Sequence, residues 1–216
     1  MTAVIPNRSR IRSFASEAEF EKWLATNHAS ETELWLKIFK KDSGVATVTN
    51  AQAIDVALCW GWIDGLRKSF DDKAFLQRFT PRKAKSIWSQ INREHVARLT
   101  QAGRMTEHGQ KQIDAAKGDG RWDAAYAPIR EAGTAEVPRD LLKAINASAT
   151  ARKTFATLNN MNRFALIFRT NNMKTPAGRE KKITTLVAML ARGDTIVPQA
   201  TKRQAIKRKT AKRKKK

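Results

Sequence analysis

The residues able to do chemistry concentrate in two neighbouring stretches. Cys59-Trp60-Gly61-Trp62-Ile63-Asp64-Gly65 brings a thiol, two indoles and a carboxylate together, and Arg78 to Ser89 adds Arg78, Arg82, Lys83 and Lys85, the hydroxyls of Thr80, Ser86 and Ser89, and Trp88. Three of the six Trp residues fall within about thirty positions there, the densest use of costly residue types in the chain. Such density points to a site, and the residue types narrow what it could do.

A carboxylate held among aromatic side chains needs a cation or strong hydrogen-bond donors. For Asp64 the candidates are Arg67, Arg78 and Arg82. Two readings stay open: an ion pair that fixes a hairpin against a helix, or a ligand-binding carboxylate. A third reading makes Asp64 the acid or base of an uncharacterised enzyme. The segment Thr80 to Ser89 reads as a hydroxyl-rich, basic helix start, where free backbone N–H groups and cations would converge on an anion; an ordinary cap with a solvated basic turn is the alternative. Cys59 ends an apolar helix stripe and reads as a buried, inert thiol. His28, His95 and His108 are scattered among polar neighbours and read as surface residues. No catalytic set, metal site or cofactor is expected: G-x-S-x-G, P-loop, G-x-G-x-x-G and H-E-x-x-H are all missing.

The elements that must carry these residues follow from periodicity. Ser16 and Glu19 have capping-box spacing, and Phe20, Trp23 and Leu24 recur at i, i+3, i+4, predicting a helix over 16–27. From Glu33 to Lys41 the period becomes two, with Leu34, Leu36 and Ile38 on one face and Trp35, Lys37 and Phe39 on the other. Thr49 and Gln52 open a second helix that stops at Gly61. Segments 63–70 and 74–79 flank Asp71-Asp72-Lys73 and predict a hairpin. Beyond Pro81, Ser86 or Ser89 can cap one helix and Thr106 the next. Pro138, Ser148 and Thr175-Pro176 open further helices, and the last apolar stripe, Ile183, Leu186, Val187 and Leu190, ends at Gly193.

The expected fold is therefore α+β: a small antiparallel sheet of about three strands packed with a predominantly helical layer, followed by a disordered basic C-terminal tail. The expected organisation is a flexible N-terminus over 1–13, an α+β region with the Trp-rich motif over 14–127, a helical region of the same compact unit over 128–198, and a polybasic tail over 199–216.

Composition sets the outer bounds. The chain has 216 residues, 41% of them hydrophobic, with a mean hydropathy of −0.55. No run approaches the ~18 apolar residues of a membrane span, and the N-terminal residues lack the apolar core of a secretory signal. One cysteine excludes an internal disulfide, so a cytoplasmic setting is expected. Net charge is +22, of which ten units lie in Thr201–Lys216, leaving +12 on residues 1–200. An anionic partner is plausible even without the tail. The tail offers an alternative role, sequence-independent nucleic-acid binding through Lys207, Arg208, Lys209, Lys212, Arg213 and Lys214, or simple solubilisation.

Several motifs together resemble a known family. Trp60-Gly61-Trp62-Ile63-Asp64-Gly65, Arg78-Phe79-Thr80-Pro81-Arg82, Ser86-Ile87-Trp88-Ser89-Gln90-Ile91-Asn92 and Gly103-Arg104-Met105 resemble the signature of the YdeI/OmpD-associated (bacteriocin-protection) family. The helix from Pro176 to Gly193, with Arg179, Lys181, Lys182 and Ile183, is similar to that family's C-terminal region, so the resemblance spans about 14–197 and leaves out the tail. It implies a stress-tolerance protein linked to resistance to bacteriocins or cationic antimicrobial peptides, in some cases with an outer-membrane porin. It brings no settled reaction and no cofactor. The motif residues carry over as a shared surface or pocket, giving Trp60, Trp62, Asp64, Arg78, Arg82, Ser86, Trp88, Ser89 and Asn92 as candidates for binding a small anionic ligand or a partner protein.

Overall fold

The computed structural model describes residues 4–199 and is α+β, with eight α-helices and one four-stranded sheet among the described residues. The candidate nucleic-acid residues Lys207, Arg208, Lys209, Lys212, Arg213 and Lys214 lie outside them. The chain divides into two compact units between Tyr126 and Ala127.

The first unit holds the sheet. Strands β1 (Ile11–Arg12), β2 (Leu34–Phe39), β3 (Trp62–Ser69) and β4 (Ala74–Pro81) lie in the order β1-β2-β4-β3. β2 and β4 pair antiparallel, Leu34 opposite Phe79 and Phe39 opposite Ala74, and β3 pairs antiparallel with the far side of β4. β1 runs parallel to β2, with Ile11 opposite Trp35. The sheet thus has one strand more than the three expected and is not purely antiparallel. A two-residue strand is too short to show a period of two, and its pairing comes from β2 rather than from its own side chains. The hairpin turn forms as the sequence suggests: Asp71 Oδ1 accepts the backbone N–H groups of Lys73 (2.8 Å) and Ala74 (2.7 Å).

Two helices cover the sheet. α1 (Glu17–Asn27) starts where Ser16 Oγ accepts from Glu19 N at 3.3 Å, while Glu19 Oε2 reaches past the cap residue to Ala15 N at 2.9 Å. α2 (Asn50–Cys59) has the full reciprocal box between Thr49 and Gln52. Their apolar faces, Phe20 and Leu24 with Ala53, Val56 and Ala57, meet Leu34, Leu36, Ile38, Trp62 and Phe79 in one core. Each large side chain buried there contributes about 1.5–3 kcal/mol.

α3 (Gln90–Gln101) and α4 (Glu107–Gly118) build a second cluster from Leu58, Cys59, Trp88, Val96, Leu99, Ile113 and Ala116. The approach of α4 to the end of α2 is close enough to dictate residue type. Gly61 turns the chain with φ of 71°, and a Cβ there would stand 2.8 Å from the His108 carbonyl oxygen. At Gly109 a Cβ would run into the carbonyls of Cys59 and Leu58.

The second unit is helical: α5 (Arg139–Asn146), α6 (Ala149–Ala156), α7 (Asn160–Asn171) and α8 (Pro176–Ala191). Its core is Leu141, Ile145, Ala151, Leu158, Leu166, Ile183, Leu186 and Leu190. Thr175 Oγ1 caps α8 through Gly178 N at 3.1 Å, with Pro176 at its first position. Buried Asn162 clasps the chain after α8, accepting from Val197 N at 2.9 Å and donating to Val197 O at 3.0 Å. No helix among the described residues is long and apolar enough to cross a membrane.

Candidate anion-binding cleft

The nine candidate residues part company along β4. Trp62 and Trp88 are fully buried in the two cores of the first unit, and the Trp62 indole N–H donates to His28 O at 3.2 Å. Trp60 closes α2 and is half-buried, its ring stacked beside that of His108 and packed against His28. Ser89 is the cap of α3, accepting from Asn92 N at 3.1 Å, which occupies the hydroxyl and the backbone amide in helix formation. Ser86 is not that cap; its Oγ accepts Lys83 N at 2.9 Å inside the preceding turn.

Asp64 lies on β3 opposite Phe79, next to a register shift between Asp64 and Arg67. None of its three expected partners pairs with it. Arg78 Nε binds Glu33 Oε2 at 2.6 Å, Arg67 Nε donates to Gln77 Oε1 at 3.1 Å, and the Arg82 guanidinium lies 3.5 Å from the centre of the Trp88 ring. The ion pair proposed to fix the hairpin is therefore not formed, because β4 turns Arg78 toward the end of β2 and the Trp88 ring takes Arg82. Burial pushes the Asp64 carboxyl above the usual carboxylate range, against the weaker pull of Arg82, Arg67 and His95.

Arg82 is buried in turn, with Nη1 donating to Ile87 O at 3.4 Å and Nε and Nη2 enclosed without a hydrogen-bond partner among the described residues. That burial lowers its affinity for its proton, to a pKa of about 10, still cationic at neutral pH. Stacking on Trp88 supplies part of what hydrogen bonds do not.

On the open side of β4 the alternation Arg78, Thr80, Arg82 meets the end of β2 and the chain before β1. A cleft of about 480 Å³ is lined there by Arg10, Thr32, Glu33, Arg78, Thr80, Pro81, Arg82 and Lys83. The pairing of Ile11 with Trp35 brings Arg10 beside this end of β2, where Arg10 Nη1 donates to Thr32 Oγ1 at 2.6 Å. Four cations face one carboxylate, Glu33, which is already bound to Arg78. Of the nine candidates, Arg78 and Arg82 reach this cleft. Arg10, Thr32, Glu33, Thr80, Pro81 and Lys83 complete it. The sequence expectation of a strand over 74–79 followed by a helix start over Thr80 to Ser89 is corrected here: β4 runs on to Pro81 and α3 begins only at Gln90. Thr80 therefore lies on the strand and Arg82 directly after it on the same wall, and nothing local signals Arg10.

The histidines are not plain surface residues. The rings of His28 and His108 lie 3.9 Å apart beside Trp60, and His95 Nδ1 meets Asp55 Oδ1 at 2.7 Å, with Arg98 on the same carboxylate. Asp55 comes from α2, 40 positions before His95. No group of three or more His, Cys, Asp or Glu residues among the described residues could hold a metal ion. Cys59 is buried, and burial pushes its thiol up to about 11, leaving it protonated at neutral pH.

In the second unit, Arg179 is a bridge between helices: Nε and Nη2 bind Asp140 of α5 and Nη1 donates to Thr170 O of α7 at 2.9 Å.

Comparison with known proteins divides the chain along similar lines. A domain of unknown function (DUF8412) matches residues 12–112. That segment contains the cleft's strands and the motifs from Trp60 to Met105. No curated protein and no solved structure matches the chain. Over residues 134–193, which hold α5 to α8 and Arg179, the chain matches the family described as "Bacteriocin-protection, YdeI or OmpD-Associated", a narrower extent than the 14–197 expected from its motifs.

Proposed function

We propose that the protein binds a small anion in the cleft at the end of β2 and β4, and that this binding serves the bacteriocin protection named in the description of the family that residues 134–193 match and, as the motif resemblance implies, tolerance of cationic antimicrobial peptides. One observation carries the reading: Arg10, Arg78, Arg82 and Lys83 line a single cleft against the lone carboxylate of Glu33. Cations that line one cleft add their fields there, and the summed potential attracts an anion. Charge-assisted hydrogen bonds from guanidinium and ammonium groups are also the strong ones. Lys83 is exposed and its ammonium enters no ion pair or hydrogen bond among the described residues, so it is free to meet a ligand.

The test is a thermal-shift and calorimetric titration of the full chain with inorganic phosphate, with sodium chloride as the ionic-strength control. Phosphate is expected to raise the melting temperature and to give a saturable heat, and the double substitution Arg10→Ala and Lys83→Ala is expected to remove both. A response to chloride equal to that to phosphate, or an unaltered phosphate response in the double variant, rejects the cleft.

A further inference from the structure

Resting on that reading of the cleft, we infer that its ligand is a phosphorylated sugar or polyol, whose phosphate meets the cations and whose hydroxyl groups meet Glu33 and Thr80. Three observations lead there. The first is size: about 480 Å³ falls inside the ~300–1,000 Å³ span of small-molecule sites, and a bare oxyanion would fill little of it. The second is the character of the walls. Apart from Pro81, every lining residue carries a polar or charged group beside its apolar stem, so the walls offer hydrogen-bond partners to a ligand's hydroxyl groups as well as packing surface to its carbon frame.

The third is an acceptor in an otherwise cationic site. Glu33 gives Oε2 to Arg78 Nε at 2.6 Å, while its Oε1 takes no hydrogen bond among the described residues. The Glu33 side chain is 17% exposed, and this oxygen is not among the enclosed atoms, so a ligand in the cleft can reach it. A site built only for an anion gains nothing from a carboxylate, because it cancels one of the cations. For a ligand carrying both an anion and hydroxyl donors, the same carboxylate, oriented by Arg78, accepts an O–H while the cations hold the phosphate. Thr80, on the same wall, adds a hydroxyl with no hydrogen bond to another described residue.

Calorimetry with glucose 6-phosphate, inorganic phosphate and glucose, on the full chain and on Glu33→Gln, separates the possibilities. Glucose 6-phosphate is expected to bind the unaltered protein about tenfold more tightly than phosphate, since a site that pairs with a hydroxyl discriminates against a ligand lacking one. In Glu33→Gln phosphate is expected to bind several-fold more tightly, as a negative charge has left a cationic cleft, and the preference for glucose 6-phosphate to fall to about twofold. Equal affinities for the two phosphates, or a preference that Glu33→Gln leaves intact, overturns the inference while the anion cleft stands. No binding of either phosphate overturns both.

Discussion

The junction from Trp60 to Gly65 and the cleft from Arg78 to Lys83 are neighbours in sequence and are joined through β3 and β4, yet they handle costly residues in opposite ways. At the junction the indoles and the carboxylate turn inward. Trp62 is buried, Trp60 packs on two imidazoles, and Asp64 forms no ion pair among the described residues. In the cleft Arg10, Arg78 and Lys83 border open space beside the buried Arg82, and the one acid of the lining is tied to Arg78. The contrast teaches that density of rare residue types marks a place under tight constraint, whereas charge left uncompensated beside a cavity marks a place that can take a ligand.

The largest effect that would sharpen this contrast is Trp62→Ala. Removing a fully buried indole that also donates to His28 O should cost about 3–5 kcal/mol in urea unfolding. An unaltered unfolding midpoint would mean that the junction is not the structural partner in the comparison. Next comes the cleft: Arg10→Ala and Lys83→Ala should each weaken phosphate binding roughly tenfold, the scale of a hydrogen bond to a charged group. Stability should shift by no more than about 0.5 kcal/mol. A loss of stability with binding retained would reverse the roles of the two regions.

Asp64→Asn tests the junction by pH. The Asp64 carboxyl is raised by burial in the folded chain, so its contribution to stability is present below its unfolded value and is lost as the pH climbs through the folded one. Asn should therefore raise the melting temperature at pH 7, with the gain disappearing as the pH is lowered through the carboxylate range. A lower melting temperature at pH 7 would show that the charge stabilises the fold after all.

The smallest effect belongs to the second unit. A hydrogen bond from Arg179 holds the exposed Asp140 carboxyl down to about 2. Such a depressed group stabilises above its unfolded pKa, and that support is lost as the pH falls toward 2. Asp140→Asn should leave phosphate binding untouched and flatten only the acid limb of unfolding between about pH 4 and 2. A change in phosphate affinity would break the assignment of binding to the first unit.

How legible these regions were in the sequence follows from the range of the interactions. Caps and periods are local, so Ser16, Thr49, Ser148 and Thr175 announced their helices, and Asp71 announced its turn. β1 was not legible because two residues carry no period, and Arg10 became a wall of the cleft only through the pairing of Ile11 with Trp35. Of the nine residues singled out in the sequence, two line the proposed cleft. Arg78 was named from the predicted strand and Arg82 from a basic stretch read as a helix start, while Trp62 and Trp88 are buried in the two cores and the Ser89 hydroxyl caps α3 through the Asn92 amide. The pairings of Glu33 and His95 were not legible for one reason: their partners, Arg78 and Asp55, lie about 40 or more positions away.

The central claim is that the anion enters the Arg10–Lys83 cleft and not the aromatic junction. A backbone amide NMR titration of the full chain with inorganic phosphate places the ligand directly. Shifts that saturate together at Arg10, Thr32, Glu33, Arg78, Thr80, Arg82 and Lys83, with Trp60 to Gly65 and Ser89 to Asn92 unmoved, are the predicted result. Shifts centred on the junction or on the start of α3, or a spectrum that phosphate leaves unchanged, would contradict it.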